Sequence, residues 1–248
     1  TEGLVGSEMC IRDSLQLNEE LMEKGDFNTA KELLETTRNF DIIKIKAGLD
    51  IKMYKEILKE VESKFTFYKK DNQDTYEGLA LQYYDEDNPY SDGVNQASGS
   101  KDLGNYKDIN YKDYLKVGTE HFDSWQYDRS KLNDAGKMFQ PFFDLCQEQF
   151  PDLHLYRARL LKTYPRHFCL EHVDEPKSLR IHLPIVSHQW SIMYFLDQPY
   201  YLKADGSLYL CNTGHKFHSF YNFSSKLNRT HLVVNAKLKS DLGTYTIG

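Results

Sequence analysis

Hydrophobic positions fall into two regimes along this chain of 248 residues. Up to about residue 150 they recur mostly at helical spacing, and beyond it they alternate with polar ones. Leu17, Leu21, Ala30, Leu33 and Leu34 share a helical period, broken at Gly25-Asp26, which predicts a short helical hairpin over 18–38. The pattern occurs once, so it is not a helical repeat. Phe40–Leu49 alternates through Ile43, Ile45 and Ala47, as a half-buried strand does. Asp50 is placed to cap a helix that carries Ile51, Tyr54, Ile57, Leu58, Val61 and Phe65 on one stripe. Tyr76–Tyr84 reads as a strand. Met138, Phe142, Leu145 and Cys146 mark an amphipathic helix, which Pro141 either kinks or restarts. From Leu153 onward short alternating runs follow one another: His154–Thr163, Phe168–His172, Leu179–Val186, Ser191–Leu196, Tyr200–Lys203, Ser207–Cys211, His218–Phe223 and Thr230–Leu238. Asp-Glu-Pro, Asp-Gln-Pro, Ala-Asp-Gly-Ser and Asn-Thr-Gly turns separate several of them. About eight short strands at this spacing predict a sandwich or barrel.

The fold expected is therefore mostly β with flanking helices, and a double-stranded β-helix (the cupin-like jelly roll) accommodates that strand number. Helices and a few strands over 15–150 are expected to form one domain with a β core over 151–248. Residues 1–14 are set apart. Leu4–Ser14 reads as the translation of a transposon-type sequencing adaptor, so this tail is expected to be non-native and Cys10 inert. Residues 85–115 are rich in Asp, Asn, Gly, Ser and Tyr. A run of that kind is either a lid over a pocket or a plain solvated insertion.

Composition narrows the function. Apolar residues make up 40%, enough for a substantial core, and aromatic residues 14%, with 18 Tyr and 14 Phe. The formal net charge is −6 and no basic stripe stands out, which argues against broad attraction to nucleic acid. No apolar run approaches the roughly 20 residues of a membrane helix. Cys10, Cys146, Cys169 and Cys211 have no CxxC and no regular spacing, so they are expected as reduced thiols in a cytoplasmic compartment.

The chemistry concentrates in His172-Val-Asp174, His218 and Arg229, with ten residues between the last two. Two imidazoles and one carboxylate on one face of an octahedral Fe(II) leave positions open for a cosubstrate and oxygen. Residues two apart in a strand face the same way, so His172 and Asp174 are expected to point together into the barrel mouth. His215 competes with His218 as third ligand, and His218 is preferred because it opens a strand. A second H-x-D, His121-Phe-Asp123, lies in a polar stretch with no clear strand around it. Arg180 and His182 share a face of Leu179-Arg-Ile-His-Leu-Pro, and Arg229 and His231 repeat the pattern. Cationic groups facing inward need partners: a bound dicarboxylate or an internal Asp or Glu.

Over about Arg159–Ala236 the chain resembles the aspartyl/asparaginyl β-hydroxylase family, which includes proline hydroxylase relatives. The resemblance is carried by His172-Val-Asp174, Arg180-Ile-His182-Leu-Pro, the Gly206-Ser-Leu-Tyr strand, His218-Ser-Phe-Tyr-Asn222 and Arg229-Thr-His-Leu-Val-Val. It implies a double-stranded β-helix dioxygenase using Fe(II), 2-oxoglutarate and O2. His172, Asp174 and His218 would be the iron ligands, and Arg229 the clamp on the distal carboxylate of 2-oxoglutarate. Arg180 and His182 would lie near its other end or near the substrate. The partner implied is a small-molecule or peptidyl amino-acid substrate. Two other readings stay open: a non-catalytic jelly-roll binding module, and a cupin-like metalloenzyme of another class in which Arg229 binds substrate.

Overall fold

The computed structural model describes residues 22–36, 39–69, 76–92, 94 and 128–242. The adaptor-like tail, His121, Asp123 and most of the 85–115 stretch lie outside the described residues. In chain order the elements are β1 (Glu23–Gly25), α1 (Phe27–Thr36), β2 (Ile42–Ile45), α2 (Ile51–Lys64), β3 (Tyr68–Lys69), β4 (Tyr76–Ala80), β5 (Gln82–Tyr83), β6 (Lys131–Leu132), α3 (Asp134–Lys137) and α4 (Gln140–Gln149). The β core follows: β7 (Leu153–Thr163), β8 (Phe168–His172), β9 (Leu179–Val186), β10 (Ser191–Phe195), β11 (Gln198–Tyr201), β12 (Leu208–Cys211), β13 (His218–Asn222) and β14 (Arg229–Leu238).

All eight strands expected after residue 150 are present. They divide between an eight-stranded sheet, ordered β1-β2-β12-β9-β14-β7-β4-β3, and a four-stranded sheet, ordered β11-β10-β13-β8. Ile42, Tyr209 and Cys211 of the larger sheet pack with Met193, Phe195 and Tyr200 of the smaller in one buried cluster, so the two sheets face each other. Consecutive strands crossing between two facing antiparallel sheets make the jelly-roll form of the double-stranded β-helix.

The helices cover the other face of the larger sheet. Leu34, Tyr54, Leu58, Val61, Phe142 and Cys146 join Leu160, Ile181, Leu183, Leu210, Leu232 and Val234 in the main core. Each fully buried Leu or Val there contributes roughly 1.5–3 kcal/mol. Asp50 caps α2 as its position predicts, accepting from the backbone N–H of Lys52 at 2.9 Å and of Met53 at 3.4 Å. Pro141 sits in the first turn of α4, where its missing N–H costs nothing, so it restarts the helical segment rather than kinking it.

The hairpin expected over 18–38 is corrected within its described part. Glu23–Gly25 is a strand, parallel to Ile43–Ile45. Glu and Lys favour helices, but three residues gain more by extending a sheet edge than by starting a turn of helix. Asp26 then caps α1 through bonds from Asn28 and Thr29, both 3.0 Å.

β7 contains an irregularity that decides what the sheet interior holds. Leu153 and Leu155 face the helices, and so do Ala158 and Leu160, so the alternation changes phase between them. The register against β14 shifts at the same place, between Val233 and Asn235, and Arg157 there has a φ of 52°. This is a β-bulge with a left-handed residue at its kink.

Candidate metal centre

β8 ends on His172 and β13 begins on His218, and the two are direct cross-strand partners. Their ring centroids are 4.3 Å apart. Asp174 lies past the end of β8, which corrects the expectation that strand alternation carries it to the same face. A loop places it instead. Its N–H donates to Thr213 O at 2.9 Å, and Gly214 N–H returns a bond to Ser178 O at 3.0 Å. A Cβ on Gly214 would lie 2.3 Å from Glu175 O, so only glycine lets the Asn-Thr-Gly turn approach this loop. From below, the buried Glu175 carboxylate accepts from Lys237 Nζ at 2.6 Å and Tyr156 Oη at 2.5 Å.

Asp174 is thus held between the two imidazoles, its Oδ1 3.6 Å from His172 Nε2 and its Oδ2 3.6 Å from His218 Nε2. The three ligand atoms all lie within 4.8 Å of one another, close enough for a single ion to reach each. Arg180 Nη2 donates to Asp174 Oδ1. Lys216 O lies 3.2 Å from His218 Nδ1 and accepts its N–H, which keeps the proton on Nδ1 and leaves the lone pair on Nε2. Asp174 Oδ2 and His218 Nε2 are both buried without a hydrogen-bond partner. Orphaned buried acceptors facing each other are costly unless a cation joins them, and one carboxylate with two imidazoles is the donor set of Fe(II) and similar first-row ions.

The charge states of Asp174 and His218 agree with a ligand role, whereas His172 is held protonated and must give up that proton to an ion. Burial, which would raise the Asp174 pKa, is outweighed by Arg180 and the two histidines, and the carboxyl is held well below its usual range. Burial and the neighbouring His172 push His218 down to about 3, so it is neutral. At His172 burial acts downward but is outweighed by Cys169 and Asp174, and its pKa rises.

Arg229 is buried, and no carboxylate pairs with it among the described residues. Its guanidinium carbon lies 3.9 Å from the centroid of the Phe220 ring, and Nη2 donates to His231 Nδ1 at 2.7 Å. Its Nε has no partner. His231 Nδ1 is therefore an acceptor, and its proton belongs on Nε2. His182 Nδ1, 3.5 Å from that same atom, must be the donor of the two, which leaves His182 Nε2 as an unpaired acceptor. Burial and the Arg229 charge hold both imidazoles neutral, their pKa values well below the usual histidine range.

The expected residues therefore converge, with different partners for some. Arg180 pairs through Nη2 with Asp174, the internal carboxylate, while its Nε has no partner. His215 is exposed in the turn after Asn212, its N–H 3.4 Å from Asn212 O, and it is not among the three converging ligands. Sequence reading passed over Arg159 and the Glu175–Lys237–Tyr156 cluster. Arg159 carried a usable signal, since it alternates with Ala158 and Leu160 as Arg180 alternates with Leu179 and Ile181.

No family model matches the chain, and no curated protein matches it in sequence. Solved structures do share its fold. One is an oxidoreductase of the 2OG-Fe(II) oxygenase family from Burkholderia pseudomallei, 8% identical, with a TM-score of 0.51 over 87% of this chain and 94% of that one. Another is HygX from Streptomyces hygroscopicus, with nickel and 2-oxoglutarate bound. It is 8% identical, with a TM-score of 0.51 over 84% of this chain and 87% of that one. At such identities the likeness is one of fold. Among the described residues no helix is long and apolar enough to cross a membrane.

Proposed function

We propose that this chain is an Fe(II)- and 2-oxoglutarate-dependent dioxygenase. It would hydroxylate an unactivated C–H bond of a free amino acid or of an aspartyl, asparaginyl or prolyl-type substrate. The observation that carries the reading is the pairing of two features between the facing sheets: a buried His172–Asp174–His218 cluster with orphaned ligand atoms, and a buried guanidinium, Arg229, with no acid beside it among the described residues. The nickel and 2-oxoglutarate held by HygX on the same fold support it. The finer assignment to the aspartyl/asparaginyl β-hydroxylase family rests on the residues quoted from the sequence.

Under this reading His172, Asp174 and His218 hold the iron. When bound, iron with 2-oxoglutarate and O2 supplies the oxidising power for C–H cleavage and yields succinate and CO2. Arg229 would hold the far carboxylate of 2-oxoglutarate through charge-assisted N–H bonds, and the flat Phe220 ring keeps the guanidinium plane fixed. Arg180 orients the Asp174 carboxylate and neutralises part of its charge. His182 offers a neutral acceptor beside Arg229 and stays unprotonated there. The loop pinned by Thr213, Lys237 and Tyr156 keeps Asp174 in place before anything binds, so little reorganisation remains for turnover.

The test is an anaerobic titration with Fe(II) and then 2-oxoglutarate, followed by a succinate assay against amino acids and short peptides. A 2-oxoglutarate-dependent visible absorption band and substrate-stimulated succinate are expected. A non-catalytic module gives neither, and a metalloenzyme of another class binds the metal without the band.

A further inference from the structure

We propose that Arg159 is the anchor for an anionic, carboxylate-bearing substrate, in a subsite separate from that of the 2-oxoglutarate clamp. The proposal rests on the dioxygenase reading and adds the substrate's chemical class to it.

The first observation is placement. Were the alternation of Leu153 and Leu155 to continue, Arg159 would face the helix-covered core. The bulge at Arg157 reverses the phase, so Ala158 and Leu160 take the core side and Arg159 turns into the space between the sheets. There it is 5% exposed. Its Nη1 donates to Arg157 O at 2.8 Å and to Asn235 Oδ1 at 3.2 Å. The backbone kink thus both aims the side chain and supplies one of the acceptors that hold it.

The second observation is charge. Arg159 forms no ion pair with a carboxylate among the described residues. Asn235 pairs in register with Arg180 on β9, so Arg159 and Arg180 flank the same residue of β14. Burial, and after it the charges of Arg157 and Arg180, press the Arg159 pKa well below its usual value, against the smaller opposing effects of Tyr76 and Asp174. Asp174 already spends its charge on Arg180 and the metal cluster. A buried guanidinium beside other guanidiniums, held by neutral oxygens, is expensive as it stands, and an anion bound beside it between the sheets would offset that cost.

The third observation is distance. Arg229, at the start of β14, bonds the side chain of His231, and Arg159 bonds that of Asn235. These are four residues apart on one face, roughly 13 Å along the strand. With its far carboxylate on Arg229, a keto diacid would commit its other end to the metal cluster, which leaves Arg159 unengaged. The two cationic stations therefore call for two anions, and 2-oxoglutarate satisfies one. A planar guanidinium with one edge already occupied suits a carboxylate on its free edge.

The experiment uses the full chain loaded with Mn(II) and 2-oxoglutarate, which binds without turnover. Free L-amino acids and N-acetyl amino acids are screened by thermal shift, each against its own carboxamide. At least one carboxylate is expected to raise the melting temperature while its amide does not. Arg159→Gln should weaken that carboxylate about 10- to 100-fold, the scale of losing one charge-assisted contact, and Arg159→Lys should restore part of it. The shift produced by 2-oxoglutarate itself is read first in every variant. Its absence in the wild type rejects the dioxygenase reading, whereas its loss in Arg159→Gln alone marks a misfolded variant and passes the decision to Arg159→Lys. Three results would overturn the anchor: amides binding as well as acids, unchanged carboxylate affinity in the folded variants, or no response to any carboxylate.

Discussion

Replacing Arg229 by methionine should separate two properties that usually fall together, ligand affinity and stability. A charge-assisted hydrogen bond contributes about 1.5–3 kcal/mol, and a guanidinium gripping a carboxylate makes two in parallel. Losing both should raise the dissociation constant for 2-oxoglutarate by about 10²- to 10⁴-fold. The apoprotein should respond in the opposite sense. Burial drives the Arg229 pKa from 12.5 down to about 9, which at 1.36 kcal/mol per pH unit amounts to roughly 5 kcal/mol against burying the charge. Because the folded value is depressed for a base, that cost is fully present below pH 9 and is relieved as pH climbs toward 12.5. The substitution also forfeits the ring contact with Phe220, about 2 kcal/mol when desolvated, and the bond to His231, about 1–2 kcal/mol. The balance leaves the Arg229→Met apoprotein at least as stable as wild type at pH 7, by about 1 kcal/mol. Anaerobic calorimetric titration of the Mn(II)-loaded protein reads the first quantity, and urea unfolding of the metal-free protein the second. An affinity within threefold of wild type refutes the anchor. A loss of 3–5 kcal/mol in the apoprotein refutes the picture of an uncompensated charge, since that is the cost of breaking a real buried pair.

His172→Ala should reduce metal affinity by more than the 10- to 100-fold typical of residues that only support a ligand, and, because Asp174 and Cys169 raise its pKa, should cost the apoprotein some stability near neutral pH, less than Asp174→Ala does. Asp174→Ala should do the same and also cost about 3–5 kcal/mol, because it strands Arg180; metal titration alongside denaturant unfolding distinguishes the two, and equal stability losses would count against the Asp174–Arg180 pairing. Tyr54 Oη is buried without a hydrogen-bond partner, so Tyr54→Phe should stabilise the fold by about 1 kcal/mol, or roughly 2–4 °C in Tm. Burial, helped by Cys146, raises the Tyr54 pKa to about 12, so the unfolded chain loses this proton first and wild type should fall further behind Tyr54→Phe between about pH 10 and 12. A destabilised Tyr54→Phe at neutral pH would show that the hydroxyl does have a partner.

The β core was legible because period-two alternation is strong where one face packs on helices and the other is polar: Leu179-Arg-Ile-His-Leu shows both faces in five residues. Asp50 was legible for a local reason, since an N-cap acts within its own first turn. What escaped notice depended on long-range pairing. Nothing near Glu23-Lys24-Gly25 announces a strand, because the partner edge at Ile43–Ile45 creates it. His172 and His218 could be named as ligands, yet their direct cross-strand pairing follows from sheet order, which spacing does not encode. Asp174 illustrates the converse. The spacing to His172 suggested a shared strand face, while its position is in fact imposed by Thr213, Gly214 and the Glu175 anchor. Arg180 was singled out as an inward cation facing either a bound dicarboxylate or an internal acid, and it pairs with Asp174.

The kink at Arg157 makes β7 a strand with two independent alphabets. Upstream, Leu153 and Leu155 answer to the helices; downstream, Arg159 answers to the space between the sheets, while Ala158 and Leu160 resume the helix-facing duty in the opposite parity. Selection, natural or in the laboratory, can therefore change the side chain that faces that space at 159 without renegotiating the layer beneath it. Removing one residue at the kink would do the reverse, turning every downstream side chain over at once.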